Sequence, residues 1–324
     1  MARVIVVGSY NQDHVWTTDA LPAPGATRLG RYASGPGGKG FNQAVASARI
    51  GAATTFITAL GEDAAADIAR RLATDDGIAL RAEVHAALPS GTAGIFVDGD
   101  GRNVIVVAPG ANEALSVDFI AMQADAFAQA GVVLAQLEVN PDAVLAALQA
   151  GRGAGALTVL NPAPANAATT DALLAAADLL TPNETEFVAM LARHARADVA
   201  ADALADLAPP ALHALCRQLA PGATLVITLG AGGVFVSHRD GETRGDAQAF
   251  YRVPCSPANV MDTTGAGDAF NGALAARLAD ALPGTPFREA VSFANTYAGW
   301  STEQPGGAAS MRHLARDAGR VRQA

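Results

Sequence analysis

Short apolar runs rich in β-branched residues alternate along this chain with longer Ala/Leu segments of helical period. The run VIVVG precedes a helical pattern over residues 40–50, TTFITAL precedes one over 64–74, and GVVLAQL precedes one over 143–149. The alternation continues through ALTVLNPAP, ADLLTPN and ATLVITLG. Repeated strands joined by helical crossovers predict an α/β protein, a three-layer α/β/α fold with a mostly parallel central sheet.

Two stretches interrupt this alternation, at about residues 13–33 and 92–107, where strand patterns follow one another without a helix. The segment GIFVDGDGRNVIVV is typical of a β-hairpin that turns at residues 98–102. We expect these stretches to form a small β-sheet lid on a single domain spanning residues 1–324. The Ala/Asp-rich segment near 195–210, with a break at Pro209 and Pro210, is interpreted as a surface excursion between helices.

Composition narrows the class of protein. The 324 residues are 50% apolar and 16% charged, and the net charge of -9 argues against a nucleic-acid partner and favours small-molecule chemistry. Two cysteines provide no disulfide framework, and the six histidines form no HExxH motif. The apolar run at the N-terminus is too short for a signal peptide or a membrane span. We therefore expect a cytoplasmic protein with no membrane partner.

The segment DTTGAGDAFNGALAARLAD carries the most informative chemistry. Gly265 and Gly267 open a helix, where backbone amides can converge on an anion at the positive end of the helix dipole. Asp268 follows in the first turn, where an acidic residue is also favoured for purely structural reasons. A carboxylate beside an anion site would repel the ligand, so its better interpretation is a base that takes a proton from a nucleophile attacking a phosphate.

A second candidate site lies in TPNETEF. Thr181 as N-cap and Glu184 three residues later predict a capping box, with Pro182 at the first helical position. Asn183 and Glu186 then remain on one helix face at the carboxyl end of a strand, and such oxygen ligands suit Mg²⁺ held through waters and phosphates. A solvated helix face is the alternative.

Two further features concern hydroxyl groups and the glycine loop. In GSYNQDH, Asn11 and Asp13 project to one side of an extended chain and suit vicinal hydroxyls, although an Asx-turn pair is equally compatible. Glu138 follows another strand, with solvent exposure as its alternative. The loop SGPGGKGFNQ fails the phosphate-binding pattern G-x-x-x-x-G-K-[ST], because Ala33 and Gly40 stand at the first glycine and the hydroxyl position.

The motifs GGKGFNQAVASARIGA and DTTGAGDAFNGAL resemble the two diagnostic motifs of the PfkB carbohydrate kinase family, and the resemblance extends over essentially the whole chain. It implies ATP-dependent phosphorylation of a sugar, D-ribose at its O5 hydroxyl. Asp268 would be the catalytic base, with the amides of Gly265, Ala266 and Gly267 as anion hole. Asp268 would also contact the sugar, together with Asn11, Asp13, Gly38, Lys39, Asn42 and Glu138.

The same resemblance implies a nucleotide-binding part of the site. Its magnesium and phosphate motif matches Asn183 and Glu186, holding Mg²⁺ through water. Nucleotide contacts match Thr228, Gly230 and Gly233, and Asn295 falls near the adenine. A monovalent-cation loop, usually occupied by K⁺, matches Asp262, Thr264, Gly306 and Ser310. The exposed strand edges of the lid imply a homodimer formed through it.

Alternatives remain open at the level of sequence. The substrate could be another furanose, such as 2-deoxyribose or fructose, or a nucleoside, for which Tyr10 is the one hint of aromatic room for a base. A non-catalytic sugar sensor on the same scaffold is a different class, but it would have no need of a phosphate site. A dinucleotide-dependent dehydrogenase is disfavoured because no G-x-G-x-x-G follows the first strand.

Overall fold

The apolar runs of the sequence form the central sheet of the molecule. A computed structural model describes residues 3–282 and 284–314, and within them nine strands make one sheet. The strands are β1 Arg3–Val7, β4 Ala53–Gly61, β5 Ala79–His85, β8 Val132–Gln136, β9 Leu157–Asn161, β10 Leu179–Leu180, β11 Thr224–Thr228, β12 Val234–Ser237 and β13 Phe250–Val253. Their order across the sheet is β13-β12-β11-β10-β9-β8-β1-β4-β5. All neighbouring strands from β5 to β11 are parallel, and β12 and β13 add antiparallel at one edge.

Helices cover both faces of this sheet, which confirms the predicted three-layer α/β/α fold. Two buried apolar clusters, one on each face, separate the sheet from the helices because successive residues of each strand point to opposite faces. The helices are α1 Lys39–Ile50, α2 Ala64–Asp75, α3 Val117–Ala121, α4 Ala124–Phe127, α5 Pro141–Gly153, α6 Asp171–Ala176, α7 Glu184–Met190, α8 Pro209–Leu219, α9 Ala266–Asp280 and α10 Phe287–Ser301.

Helix starts follow the local sequence. Asp63, Ser116, Asn140 and Thr170 each accept a hydrogen bond from a first-turn amide and so cap α2, α3, α5 and α6. Pro209 and Pro210 open α8, where a missing amide costs nothing, so the predicted break marks the boundary between the excursion and the helix. The segment before it contains a π-helical turn at Leu191–Ala195, and Leu204 is fully buried, so the excursion is partly packed into the core.

The two stretches without helices form a separate sheet of four strands among the described residues, in the order β3-β2-β6-β7. The strands are β2 Asn11–Thr17, β3 Arg31–Gly37, β6 Gly91–Val97 and β7 Asn103–Ala108. The expected hairpin is confirmed, since β6 and β7 pair antiparallel and the Asp98 amide donates to the carbonyl of Arg102 at 3.0 Å. Across the ranges 3–282 and 284–314, no helix combines the length and apolar character required to cross a bilayer.

Candidate active site

Parallel strands end at one common edge of the sheet, and buried polar side chains collect there. Gln136 and Asn161 are the last residues of β8 and β9, Thr181 directly follows β10, and Thr228 ends β11. Gln136, Asn161 and Thr181 are all at most 5% exposed. This edge is where open α/β sheets bind ligands, and the starts of α1, α7 and α9 converge on it.

Asp268 lies at the centre of this edge, in the first turn of α9. Its Oδ2 accepts a hydrogen bond from Asn42 Nδ2 and its Oδ1 accepts one from Gln43 Nε2, both at 2.9 Å. Burial raises the pKa of Asp268, while the Lys39 ammonium and the two amide hydrogen bonds oppose that shift. The result is a buried carboxylate, held in one orientation, whose affinity for a proton is increased.

The glycines before Asp268 leave backbone donors available. The Ala266 amide donates to the Thr263 carbonyl at 3.2 Å, whereas the Gly265 and Gly267 amides have no hydrogen-bond acceptor within residues 3–282 and 284–314. Gly265 is the N-cap of α9, so these donors lie at the positive end of the helix dipole. Two free amides beside Asp268 are suited to bind an anion, and the expected contribution of Ala266 stays a prediction.

A polar cavity of about 160 Å³ opens in front of these amides. Lys39, Asp268 and Glu186 are the charged side chains that line it. The full lining is Lys39, Asn161, Ala163, Thr181, Asn183, Glu186, Thr228, Thr263, Gly265, Ala266, Gly267, Asp268 and Asn271. The structure therefore brings the predicted base, the predicted anion hole and the predicted magnesium pair around one space.

Glu138 connects the glycine loop to the first strand. Its Oε2 accepts hydrogen bonds from Ser9 Oγ at 2.6 Å and from the Lys39 amide at 3.1 Å, and its Oε1 lies 3.9 Å from Lys39 Nζ. Burial lowers the pKa of Lys39, but the carboxylates of Asp268, Glu138 and Glu186 outweigh it and the pKa is raised. Lys39 is therefore a fixed positive charge between the two halves of the site.

Asn11 and Asp13 lie on β2 of the small sheet, so the polar pair belongs to the predicted lid. Asn112 holds Asn11 in place, because its Nδ2 donates to Asn11 Oδ1 and to the Tyr10 carbonyl, both at 3.0 Å. Burial, together with the nearby charges of Glu138 and Asp268, raises the pKa of Asp13 to about 7. The three carboxylates thus face one region between the sheets.

Gly38 permits this close approach of the small sheet to α1. It is the N-cap of α1 with φ of 88°, and a Cβ added there would lie 2.7 Å from the Asn11 amide nitrogen. A side chain would therefore push β2 away from the helix that carries Lys39 and Asn42. The glycine loop therefore serves to place side chains around the site. This role does not require the phosphate-binding geometry whose sequence pattern the loop fails to match.

The capping box of α7 differs from the sequence prediction. Asn183 is the N-cap and Glu186 the third helical residue, with Asn183 Oδ1 accepting from the Glu186 amide and Glu186 Oε2 from the Asn183 amide, both at 2.9 Å. The box expected at Thr181 and Glu184 is wrong, because residues 181–183 continue the sheet: the Thr181 amide bonds to Leu160 and Asn183 pairs with Thr228.

Glu186 keeps one carboxylate oxygen outside this box. It is 5% exposed, it lines the cavity, and burial raises its pKa despite the opposing hydrogen bond from the Asn183 amide. Over residues 3–282 and 284–314, no three His, Cys, Asp or Glu side chains form a metal-ligand cluster. One carboxylate oxygen in a polar cavity fits Mg²⁺, which retains waters and substrate phosphates as its other ligands.

The predicted monovalent-cation residues lie in two loops that Asp262 joins. Its Oδ1 accepts from the Thr264 amide at 2.9 Å and its Oδ2 from the Gly306 amide at 2.8 Å. Burial raises the pKa of Asp262, but these hydrogen bonds outweigh it and the pKa is lowered. Ser310 Oγ donates to the Gly307 carbonyl at 2.9 Å, so the lone pairs of this hydroxyl oxygen remain available to coordinate a cation. Carboxylate and hydroxyl oxygens on adjoining loops fit a hard monovalent cation.

The remaining predicted nucleotide residues are spread around the edge of the sheet. Thr228 lies in the cavity wall, and Gly230 and Gly233 belong to the tight turn that follows β11. Asn295 is buried in α10, where its Nδ2 donates to the Pro254 carbonyl at 2.7 Å and holds the loop after β13. A contact of Asn295 with adenine stays a prediction.

Sequence reasoning missed the polar residues that support the site. Gln43, Gln136 and Asn161 form a buried hydrogen-bonded row against Asp268, and Asn112 anchors Asn11. A usable signal exists for two of them, since Gln136 and Asn161 each end an apolar strand, VVLAQ and LTVLN. Polar residues at that position face the ligand-binding edge of a parallel sheet.

Comparison with known proteins gives one consistent family. The family model described as pfkB family carbohydrate kinase matches residues 1–314. A ribokinase from Haemophilus influenzae is 37% identical over 94% of both chains, and a deoxyribokinase from Salmonella typhi is 32% identical over 84% of both chains. An Arabidopsis thaliana ribokinase solved with ribose and ATP superposes with a TM-score of 0.80 at 28% identity, covering 96% of both chains.

The fold, the family match and the ribokinase relatives indicate a phosphotransferase that acts on an alcohol group and uses ATP as its co-substrate. The chain belongs to the pfkB family of carbohydrate kinases.

Proposed function

We propose that this protein is a ribokinase, which transfers the γ-phosphoryl group of ATP to the O5 hydroxyl of D-ribose. The observation that carries the proposal is the position of Asp268: a buried carboxylate fixed by two amide hydrogen bonds beside two free backbone amides. Relatives named ribokinase and deoxyribokinase both align over most of this chain, so overall similarity does not separate the two sugars and the sugar pocket decides the substrate.

The proposed reaction follows from the positions of these groups. Asp268 takes the proton from the O5 hydroxyl while the bond from O5 to the γ-phosphorus forms and the bond from that phosphorus to the β,γ-bridging oxygen breaks, so ADP leaves with the electron pair. The Gly265 and Gly267 amides, with Ala266 once its amide is released from Thr263, stabilise charge on the transferring group. Lys39 adds a fixed positive charge at the same cavity.

Sugar recognition is assigned to the polar groups around Asp268. Asn11 and Asp13 on β2 would bind vicinal hydroxyls. Lys39 and Asn42 would bind from the start of α1, and Glu138 from the loop after β8, with Gly38 allowing close approach. Tyr10 gives no support to a nucleoside, because it is fully buried, packs edge-on against Phe41 and donates to Gln12. Free ribose is therefore favoured, with 2-deoxyribose or fructose as the second candidate.

Two ions complete the proposal. Glu186 and Asn183 would hold Mg²⁺ through water next to the nucleotide phosphates, with Thr228, Gly230, Gly233 and Asn295 around the rest of the nucleotide. Asp262, Thr264, Gly306 and Ser310 would hold K⁺ and thereby fix the loop that precedes the anion hole. When bound, Mg²⁺ would neutralise phosphate charge, and K⁺ would hold the amides of the anion hole in position through the loop that precedes them.

The experiment that tests the function is ADP release with Mg-ATP and ribose, 2-deoxyribose, fructose, adenosine or uridine, each with and without K⁺. We expect ribose to give the highest kcat/KM. We also expect Asp268→Asn to lower kcat at least about a hundredfold, the usual contribution of a general base. Asp280→Asn, at the exposed end of the same helix, is the matched control. Near-normal turnover by Asp268→Asn would refute the assignment of the base, and turnover of none of these acceptors would favour a sensor.

The four-stranded sheet is proposed as a lid and as the dimer interface. Trp16 stacks on Phe96 with ring centroids 5.1 Å apart and lies 5.3 Å from Tyr32, and the edge strand β7 leaves Val106 65% exposed. A contiguous apolar face beside an unpaired strand edge is suited to bury against a second copy of the chain. We expect a dimer by light scattering and a monomer for Val106→Lys; a wild-type monomer would refute the interface.

A further inference from the structure

The contacts of Asp268 are made by two neighbouring residues of α1 that differ in how their hydrogen bonds are used. Gln43 Nε2 donates to Asp268 Oδ1 at 2.9 Å and to Asn161 Oδ1 at 3.1 Å, and Gln43 Oε1 accepts from Gln136 Nε2 at 2.5 Å. A primary amide has two N–H donors, so both donors of Gln43 are committed and its acceptor is occupied.

The orientation of this row is determined at its far end. Asn161 Nδ2 donates at 2.9 Å to the backbone carbonyl of Thr181, which can only accept. Asn161 must therefore present its oxygen to Gln43, and Gln43 in turn must present its nitrogen to Asp268 and its oxygen to Gln136. The row has one direction, and reversing any amide would place two acceptors or two donors face to face.

The hydrogen bonds of Asn42 are less complete. Its Nδ2 donates to Asp268 Oδ2 at 2.9 Å, but its Oδ1 has no hydrogen-bond partner among the described residues although the residue is only 6% exposed. A buried acceptor without a partner is costly unless a ligand completes it. Asn42 therefore has an unused acceptor for a hydroxyl group, whereas both N–H donors of Gln43 and its oxygen are already bonded.

We infer that Gln43 is a positioning residue that fixes the Asp268 carboxylate through Oδ1, so that Oδ2, on the side shared with Asn42, is the oxygen that receives the proton. The inference rests on the proposed function for its kinetic readout. Gln136 and Asn161 act through Gln43, because each makes one of the two other hydrogen bonds that hold the Gln43 side chain. The side-chain hydrogen bond from Gln43 also lowers the pKa of Asp268 against the effect of burial.

The test compares the pH dependence of kcat for wild type, Gln43→Met and Gln123→Met. Gln123 is also buried, at 6% exposure, but lies between α3 and α4, where its Nε2 donates to the Phe119 carbonyl, so its variant controls for removal of a buried amide. Losing a hydrogen bond to a charged group corresponds to about one to two pKa units. For Gln43→Met we therefore expect the acidic limb of the profile to move up by about one to two pH units.

The associated loss of kcat should be about ten- to a hundredfold on the acidic side of the wild-type limb, smaller on the alkaline plateau, and accompanied by a nearly unchanged KM for ribose. An acidic limb that coincides with that of wild type, or a loss of kcat equal at all pH values, would overturn the positioning role. Gln43→Glu is the second variant should Gln43→Met fail to fold: it retains the shape of the side chain, and we expect it to raise the acidic limb as well, by placing a second acid against Asp268.

A titration independent of activity separates this inference from the proposed function. In protein labelled with ¹³C at the aspartate carboxyls, the Asp268 signal is the one that Asp268→Asn removes. We expect its pKa to be higher in Gln43→Met than in wild type and unchanged in Gln123→Met. If ribose is not a substrate but this difference appears, only the proposed function fails; equal pKa values in Gln43→Met and wild type contradict the role of Gln43 whatever the substrate is.

Discussion

The contact between α1 and α9 sets the position of Asp268, and Gly272 lies at that contact. A Cβ added at Gly272 would stand 2.4 Å from the Gln43 carbonyl oxygen and 2.6 Å from Ala46 Cβ, whereas ordinary contacts begin at 3.4 Å. Gly272→Ala must therefore separate the helices by about 1 Å, given that cores are close-packed. The same movement would lengthen the 2.9 Å hydrogen bonds from Asn42 and Gln43 to Asp268 beyond the range of a hydrogen bond.

Two effects follow for Gly272→Ala, and both are measurable. Alanine is favoured over glycine in a helix by about 1 kcal/mol, but overpacking costs about 1–3 kcal/mol, so we expect net destabilisation in urea. A displacement of about 1 Å at a catalytic group is expected to lower kcat by about a hundredfold. The assays are urea unfolding and ADP release with ribose.

Gly153→Ala is the matched control, because Gly153 also lies in a helix and an added Cβ would meet nothing within 4 Å. We expect it to leave kcat unchanged and stability unchanged or increased. Wild-type kcat in Gly272→Ala would refute the argument that this helix contact positions Asp268. Unchanged stability would show that the helices absorb the methyl group without moving.

The remaining predictions concern stability. Arg49, on α1, donates to both carboxylate oxygens of Asp76 at 3.0 and 3.1 Å and to the Ala308 and Met311 carbonyls at 2.9 Å. Arg49→Met should cost about 1.5–3 kcal/mol, because Asp76 loses these charge-assisted hydrogen bonds and keeps the weaker contact with His313, whose Nε2 lies 3.5 Å from Asp76 Oδ1. A loss below about 1 kcal/mol in urea unfolding would contradict this. The folded-state pKa of Asp13 is raised to about 7, so the folded protein binds a proton at Asp13 more tightly than the unfolded chain does. This proton binding makes its full contribution to the free energy of unfolding below the unfolded pKa of 3.8, and the contribution is lost as pH rises through 7. Relative to Asp13→Asn, the wild type should lose about 3 kcal/mol of stability between pH 5 and pH 8; parallel stability curves for the two proteins would disprove the shift.

The glycine-rich helix start at residues 265–268 and the strand–helix alternation were predictable because they depend on local rules. Amides at a helix start are free wherever that helix begins, and a parallel sheet requires helical crossovers. The capping box of α7 was misplaced by two residues for the opposite reason. Its position depends on how far β10 and β11 keep the chain extended, and the pairing of Asn183 with Thr228 is a contact between residues distant in sequence.

Short segments of the sequence were enough to predict the class of fold, the glycine-rich helix start proposed as an anion site and the acid beside it, because each of these depends on local rules. Which groups surround that acid depends on contacts between segments that are distant in the chain. Gln43 and Asp268 are 225 residues apart in the chain, and Asn112 meets Asn11 across 101 residues. Such pairs form because packing of the two sheets and the helices α1 and α9 brings distant segments together, and no local pattern records which amide will satisfy which buried oxygen.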